Sequence, residues 1–359
     1  MSPYHSDHNI MFDQTIHIDL TLPRSWNQCT TDQLETIAAC ILKHTALADR
    51  YHPYDWQNVK AELFFLLTEV EIIHIDTAED DPDDTTYLCR LAKKESRPIS
   101  GGTPSVLRMP WFRHGSKAPE FRLRPWQVQS WIDTQLKWLD DEKSTLLLFP
   151  YKQLIHTRHF TCHWPFLKKT WHAPAELLQD FTWQQYRHLQ DYMAMYIDLQ
   201  NTLVKIYKHR HTPEQEAIQQ EALKNTRDEF LKILFGGGKA GASLSDSRFS
   251  AGQGSALAKQ IARITEVQWQ VILLWWSGFM HYLKDHYPRC FKSSDKKKAH
   301  KQPNPLELYT SIVATMQKYI GIDEEKINHQ TFHIILEQLE RIAKENEEID
   351  KMNKKHKSK

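Results

Sequence analysis

Apolar positions recur along this chain at two spacings, every second residue in a few short runs and every third or fourth in several long ones. Ile16, Ile18, Leu20 and Leu22 alternate with Thr15, His17, Asp19 and Thr21, the period of a half-buried strand, and Pro23 closes the run. Thr30 and Gln33 then have capping-box spacing. Leu34, Ile37, Ala38, Ile41 and Leu42 follow at helical steps, which predicts a helix over 31–48. A second helix is expected from Trp56 to Val70, with Val59, Leu63, Leu66, Leu67 and Val70 on one face. Two β-like runs, 71–75 and 85–91, flank the acidic turn EDDPDD and read as a hairpin.

Residues 96–125 hold five prolines and three glycines, which predicts an irregular connection. Pro125 suits the first position of a helix to about Leu139. Thr182 and Gln185 repeat the capping-box spacing, and Tyr186, Leu189, Met193, Tyr196 and Ile197 form the stripe that follows. Another helix is expected from Thr212 to Phe235, with Pro213 first. Six of the eleven glycines fall between Gly236 and Gly254 among serines, the composition of a flexible linker. Beyond it, Ile261 to Leu283 is apolar on nearly every side, as in a helix surrounded by others, so Trp275 and Trp276 should not both face water. After the lysine-rich stretch Lys292–Lys301, Asn304 and Pro305 open a helix that Gly321 ends. The last helix carries Phe332, Ile335, Leu336, Leu339 and Ile342, and the tail after Ile349 reads as disordered.

Together these patterns predict a mainly α fold of helical bundle units with a small β element near the N-terminus. The expected segments are a strand, helices and hairpin over 1–95, a Pro/Gly-rich connection over 96–125 and a central helical region over 126–235. A Gly/Ser-rich segment over 236–258, a C-terminal helical region over 259–350 and a basic tail over 351–359 complete the chain.

Composition narrows the function classes. With 359 residues, two or three packed units are expected. The 46 basic and 45 acidic residues balance, so no global field favours nucleic acid or an anionic membrane. Cys29, Cys40, Cys89, Cys162 and Cys290 are odd in number and scattered, which suits reduced thiols in a cytoplasm. The first residues lack a basic stretch followed by an apolar one, so no secretory signal is expected. Val271–Met280, the most apolar stretch, is about half of the roughly 20 residues a membrane-spanning helix needs.

Motifs for catalysis are absent or incomplete. The run FGGGKAGAS has Ile233 and Ala240 where a phosphate-binding loop needs glycine and Ser/Thr. Neither Gly-x-Ser-x-Gly nor His-Glu-x-x-His occurs. His156, His159, Cys162 and His163 are residue types that bind zinc, but paired ligand spacing with a distant second pair is missing, so no metal site is expected there. Glu79, Asp80, Asp81, Asp83 and Asp84 lack the glycine and terminal Glu of a calcium loop. No catalytic, cofactor-binding or metal residue is therefore nominated. Lys351, Lys354, Lys355, Lys357 and Lys359 could meet nucleic-acid phosphates, though no aromatic residue interleaves with them.

The layout of four stretches resembles that of uncharacterised helical proteins of phages and prophages of gut Bacteroidota. IDLTLPRSWNQCTTDQLETIA is similar to their entry strand and first helix, and DFTWQQYRHLQDYMAMYI with LVKIYKHR to their central helix. VQWQVILLWWSGFMHYLKDHYPRCF and NPLELYTSIVATMQKYIGID are similar to their C-terminal helices. The resemblance implies a tail-assembly setting and transfers no functional residue. The resulting expectation is a non-enzymatic, cytoplasmic accessory protein that binds a protein partner, a phage structural or assembly protein, through apolar helix faces. It uses no cofactor and no membrane. The alternative is a nucleic-acid-associated protein using its lysine-rich segments.

Overall fold

The computed structural model describes residues 22–48, 55–78, 81–91, 120–141, 144–151, 153–158, 167–208, 212–235, 254–291 and 305–357. The chain is mainly helical, with a three-stranded antiparallel sheet in its N-terminal part. It divides into two compact units, Met1–Ser144 and Thr145–Lys359. That boundary lies beyond the 96–125 connection, because the helix opening at Pro125 packs with the N-terminal elements.

The first elements described in this unit are a single 3-10 turn, Trp26–Gln28, and helix α1, Thr31–Ala48. The capping box forms as its spacing predicts: Thr30 N donates to Gln33 Oε1 (2.9 Å) and Gln33 N to Thr30 Oγ1 (3.2 Å). Helix α2, Trp56–Thr68, is two residues shorter than its apolar pattern suggests. Glu69 takes a left-handed conformation (φ 56) and turns the chain directly into β1, Val70–Ala78, so Val70 serves the sheet. Leu66 is 46% exposed, and Phe64 takes the core position beside Val59 and Leu63.

Strand β1 pairs antiparallel with β2, Asp81–Leu91, in the hairpin the pattern predicts, though both strands run further than expected and residues 81–84 of the acidic turn belong to β2; β2 also pairs with β3, Glu120–Leu123. Strand β3 lies inside the stretch read as irregular connection. Its four residues, EFRL, are too few to show alternation, and the sheet's edge selects them. Helix α3, Pro125–Gln135, starts on its proline and gives way to a 3-10 turn at Lys137–Leu139. The predicted strand at 15–22 falls on residues outside those described, except Leu22, which packs against the unit's core.

That core joins Ile37 and Cys40 of α1, Val59, Leu63 and Phe64 of α2, Val70 and Cys89 of the sheet, and Val128 and Ile132 of α3. Lys60 is only 3% exposed among them. A buried ammonium needs a partner, and Asp140 supplies it: Lys60 Nζ lies 2.9 Å from Oδ2, while Trp56 Nε1 donates to Oδ1 (2.7 Å). This ties α2 to the chain that follows α3.

The second unit opens with a two-stranded hairpin, β4 Gln153–Arg158 and β5 Leu167–His172. Both strands fall in the region expected to be helical. QLIHTR and LKKTWH are short and mostly polar, so neither shows the clean alternation that marks a half-buried strand. Helices α4, Trp183–Lys208, and α5, Pro213–Phe235, follow as expected. Of the Gly/Ser-rich segment expected over 236–258, residues 236–253 lie outside the described residues, and 254–258 are not linker but helix. The long apolar helix expected from Ile261 is two helices. Ile261 ends α6, Gly254–Ile261, and α7 runs Glu266–His286 behind a capping box of Thr265 and Gln268. Helix α8, Pro305–Ile320, ends on Gly321 at φ 70.

A short helix α9, Glu324–His329, precedes α10, Phe332–Lys357. The residues after Ile349, expected to be disordered, continue α10 to Lys357. They hold no glycine or proline, Lys and Met are good helix formers, and basic residues suit the negative end of the helix dipole.

The core of the unit is aromatic and centres on α7. Trp269, Trp275, Trp276 and Phe279 are all buried, in keeping with the apolar pattern. Trp269 meets Tyr196 (5.2 Å) and Phe230 (5.6 Å), and Trp275 meets Phe149 (4.7 Å). The starts of α4 and α10 are joined by a bridge between Thr182 and Thr331, and Tyr186 stacks on Phe332 at 4.4 Å.

A turn at Glu176–Leu178 enters this core with Leu177 and Leu178 at φ 53 and 57, a strained setting for branched side chains. His333 holds it. Its Nε2 donates to Leu177 O (2.7 Å), which leaves Nδ1 to accept from Tyr287 Oη (3.1 Å). Burial lowers the pKa of His333 below its ordinary 6.5, only partly offset by the Leu177 carbonyl and Glu337. The unfolded chain therefore binds the proton more readily, so this contribution to stability is complete above about pH 6.5. It declines as pH falls from there towards the folded value, and is constant below that. The urea midpoint should drop between about pH 7.5 and 5, and drop less in His333→Gln, which cannot titrate. Equal falls in both proteins would refute this role.

Candidate functional site

The groups singled out in the sequence do not assemble into a described site. Backbone of His156 lies on β4, whereas His159, Cys162 and His163 fall outside the described residues. Asp81, Asp83 and Asp84 belong to β2, while Glu79 and Asp80 are outside. The Lys292–Lys301 stretch is also outside. Lys351, Lys354 and Lys355 are exposed on the last turns of α10, where their three- and four-residue spacing puts them on one face.

Of the apolar faces, that of α7 is core. A different pair of helices leaves apolar residues in water. α4 and α5 form an antiparallel hairpin whose base is anchored by Tyr196 on Trp269 and Phe230 on Trp276. Beyond that base nothing is buried, neither in 197–207 of α4 nor in 213–225 of α5. Leu199, Leu203 and Ile206 are half-buried at helical spacing, as are Gln219, Ala222 and Leu223, so these stripes face each other and close the two-helix arm.

Ile197, Val204 and Ile218 lie outside that seam and are 49%, 51% and 59% exposed. Ile197 and Val204 are seven residues apart and share a face. Tyr207 Oη donates to Glu216 Oε1 (2.6 Å) near the tip, and Thr226 Oγ1 lies 3.7 Å from Met195 Sδ nearer the base. Both pairs give one register, which sets Val204 level with Ile218. In the first unit, Ile73 and Ile75 on β1 are also exposed, at 40% and 51%.

A compact polar cluster sits where α1 and α2 pack. Cys40 and His44 are one turn apart on α1, and Glu62 reaches them from α2. A sulfur, an imidazole nitrogen and a carboxylate oxygen from the three lie within 4.8 Å of one another. His44 Nε2 is 2.8 Å from Glu62 Oε2, and Lys43 Nζ donates to Oε1 at 2.7 Å. Cys40 is buried, at 3% exposure, while His44 and Glu62 are half-buried.

Burial first, and then the charge of Glu62, raise the Cys40 pKa to about 11 against the opposing effect of Lys43. At neutral pH it is a thiol, a poor nucleophile, so the trio is not poised for covalent catalysis. Glu62 shows the reverse balance. Burial pulls its pKa up, but hydrogen bonds from Lys43 and His44 outweigh this and hold it below the ordinary carboxylate value. Sequence reading passed over this cluster. Its one signal is the Cys-x-x-x-His spacing on a well-patterned helix. Glu62 is brought in only by the packing of a second helix.

Comparison of the chain with protein-family models, curated proteins and solved structures finds no match in any of the three.

Proposed function

We propose that this chain is a non-enzymatic assembly or accessory protein that binds a protein partner through the exposed arm of α4 and α5. The observation that carries this reading is the outer face of α4: Ile197 and Val204, two turns apart on one face, are each about half exposed on a helix pair whose outer halves bury nothing. A helix pair needs its seam to hold together, and the seam here is supplied by other residues. Exposed branched side chains at helical spacing fit the groove-and-helix mode of recognition, in which a few apolar anchors from adjacent turns enter a partner. The phage setting, with a tail component as partner, rests on the resemblance of the four sequence stretches.

Ile197→Glu combined with Val204→Glu tests the arm. Both side chains face water, so the melting temperature should stay within about 1 °C of the parent. A protein that co-purifies with the tagged chain from its own host should be lost with the variant and should resist added salt. Unchanged recovery of that partner would refute the arm as the binding face. A second reading, nucleic-acid association, draws on the lysine face at the end of α10. It predicts instead a complex that weakens steeply as salt is raised and survives the arm substitutions.

A further inference from the structure

We propose that Cys40, His44 and Glu62 bind a divalent metal ion of the zinc class, with a fourth position left for water or an external ligand. The donor set is the first ground. Thiolate, imidazole and carboxylate are the three kinds of protein ligand found on zinc, and three of them leave a fourth position of the ion open to water or an external ligand. An acidic surface cluster would favour calcium or magnesium. The sulfur and nitrogen here select a softer ion.

Geometry is the second ground. A tetrahedral ion with bonds of about 2.3 Å to sulfur and about 2.0–2.2 Å to nitrogen and oxygen needs donor separations of roughly 3.3–3.6 Å. The three donor atoms already lie within 4.8 Å of one another, so closing on an ion takes side-chain movements of about an ångström. His44 Nε2 and Glu62 Oε2, now 2.8 Å apart across a shared proton, must part by roughly half an ångström to admit the ion in that proton's place. The thiol proton and the imidazole Nε2 proton pass to solvent as the metal bonds form.

The surroundings are the third. Spacing of four residues on α1 points Cys40 and His44 the same way, and both helices are anchored by the unit's core, so two of the ligands are held by rigid backbone. Lys43 Nζ donates to both oxygens of Glu62, 2.7 Å from Oε1 and 2.9 Å from Oε2, and so fixes the carboxylate against α1; with an ion bound it keeps Oε1 and gives up Oε2, the part that outer hydrogen bonds play around metal ligands. Cys40 is enclosed while His44 and Glu62 are partly open, so an ion can enter from the carboxylate side.

Cobalt(II) titration of the full chain tests this, after chelator treatment and under a non-thiol reductant, because a thiolate bound to cobalt absorbs in the near ultraviolet. A saturable, stoichiometric band that zinc displaces is the expected result. It should vanish in Cys40→Ser and persist in Cys162→Ser. His44→Gln and Glu62→Gln should weaken binding by about tenfold or more. Cys40 is buried and its substitution can perturb folding, so the partly exposed His44 and Glu62 variants carry an independent arm. Zinc should raise the melting temperature of the parent chain by linkage, and raise that of Glu62→Gln clearly less at the same zinc concentration. Absence of the band in the parent, or its retention in Cys40→Ser, would overturn the assignment. So would its loss in Cys162→Ser alone, which would place the metal on the histidine-rich cluster instead.

Discussion

Trp275→Ala lowers the melting temperature of the protein by roughly 6 to 20 °C. Trp275 is 1% exposed. Its indole lies edge-on to Phe149 at 4.7 Å and stacks at 5.8 Å on Phe279, and its Nε1 donates to Leu147 O at 3.1 Å. Truncation removes the largest side chain at this point of the core together with its hydrogen bond to Leu147 O. The cost is about 3 to 5 kcal/mol for a large aromatic taken from a core, and each kcal/mol moves a unit of this size by roughly 2 to 4 °C. Thermal unfolding followed by circular dichroism reads the effect. A shift under about 1 °C would mean that the Trp275 face of α7 is not the core of the unit.

Gly278→Ala destabilises by about 1 to 3 kcal/mol, the opposite of what helix propensity dictates. In an open helix interior the change gains about 1 kcal/mol. Here a Cβ built at position 278 meets backbone of Leu146, at 2.5 Å from its carbonyl oxygen, 3.0 Å from its nitrogen and 3.1 Å from its carbonyl carbon. Backbone cannot rotate away as a side-chain tip can, so the segment at Leu146 must move. That segment is buried at Leu146 and also supplies the Leu147 carbonyl that Trp275 uses. Overpacking of this kind outweighs the propensity gain. Chemical denaturation of the variant decides the sign, and a stabilised Gly278→Ala would show that the close approach of α7 to Leu146 is wrong.

Helix identity was legible wherever two local signals coincided. Thr30 with Gln33, Thr182 with Gln185, and Pro213 each stand immediately before an apolar stripe, and α1, α4 and α5 begin where those signals stand. A capping box and a stripe are properties of a few neighbouring residues, so the chain's own order suffices to read them. Short elements were not legible in the same way. β3, β4, β5 and α9 are four to six residues long, and over that length strand and helix patterns are alike. The break between α6 and α7 was hidden because Ile261 and Ile264 continue the apolar pattern through it.

Order along the chain was therefore enough for the mainly helical class, the N-terminal hairpin and the apolar character of α7, because each depends on residues a few positions apart. Which apolar residues meet water was decided by packing across long separations. The stripe of α4 that buries Tyr186 and Met193 runs on into Ile197 without a change in composition, and only the place where the core ends separates them. Glu62 likewise meets Cys40 and His44 only because α2 packs on α1 in one register. Contacts of that kind follow from the complementarity of whole faces and from the exclusion of water between them, and no spacing rule within a single segment contains either.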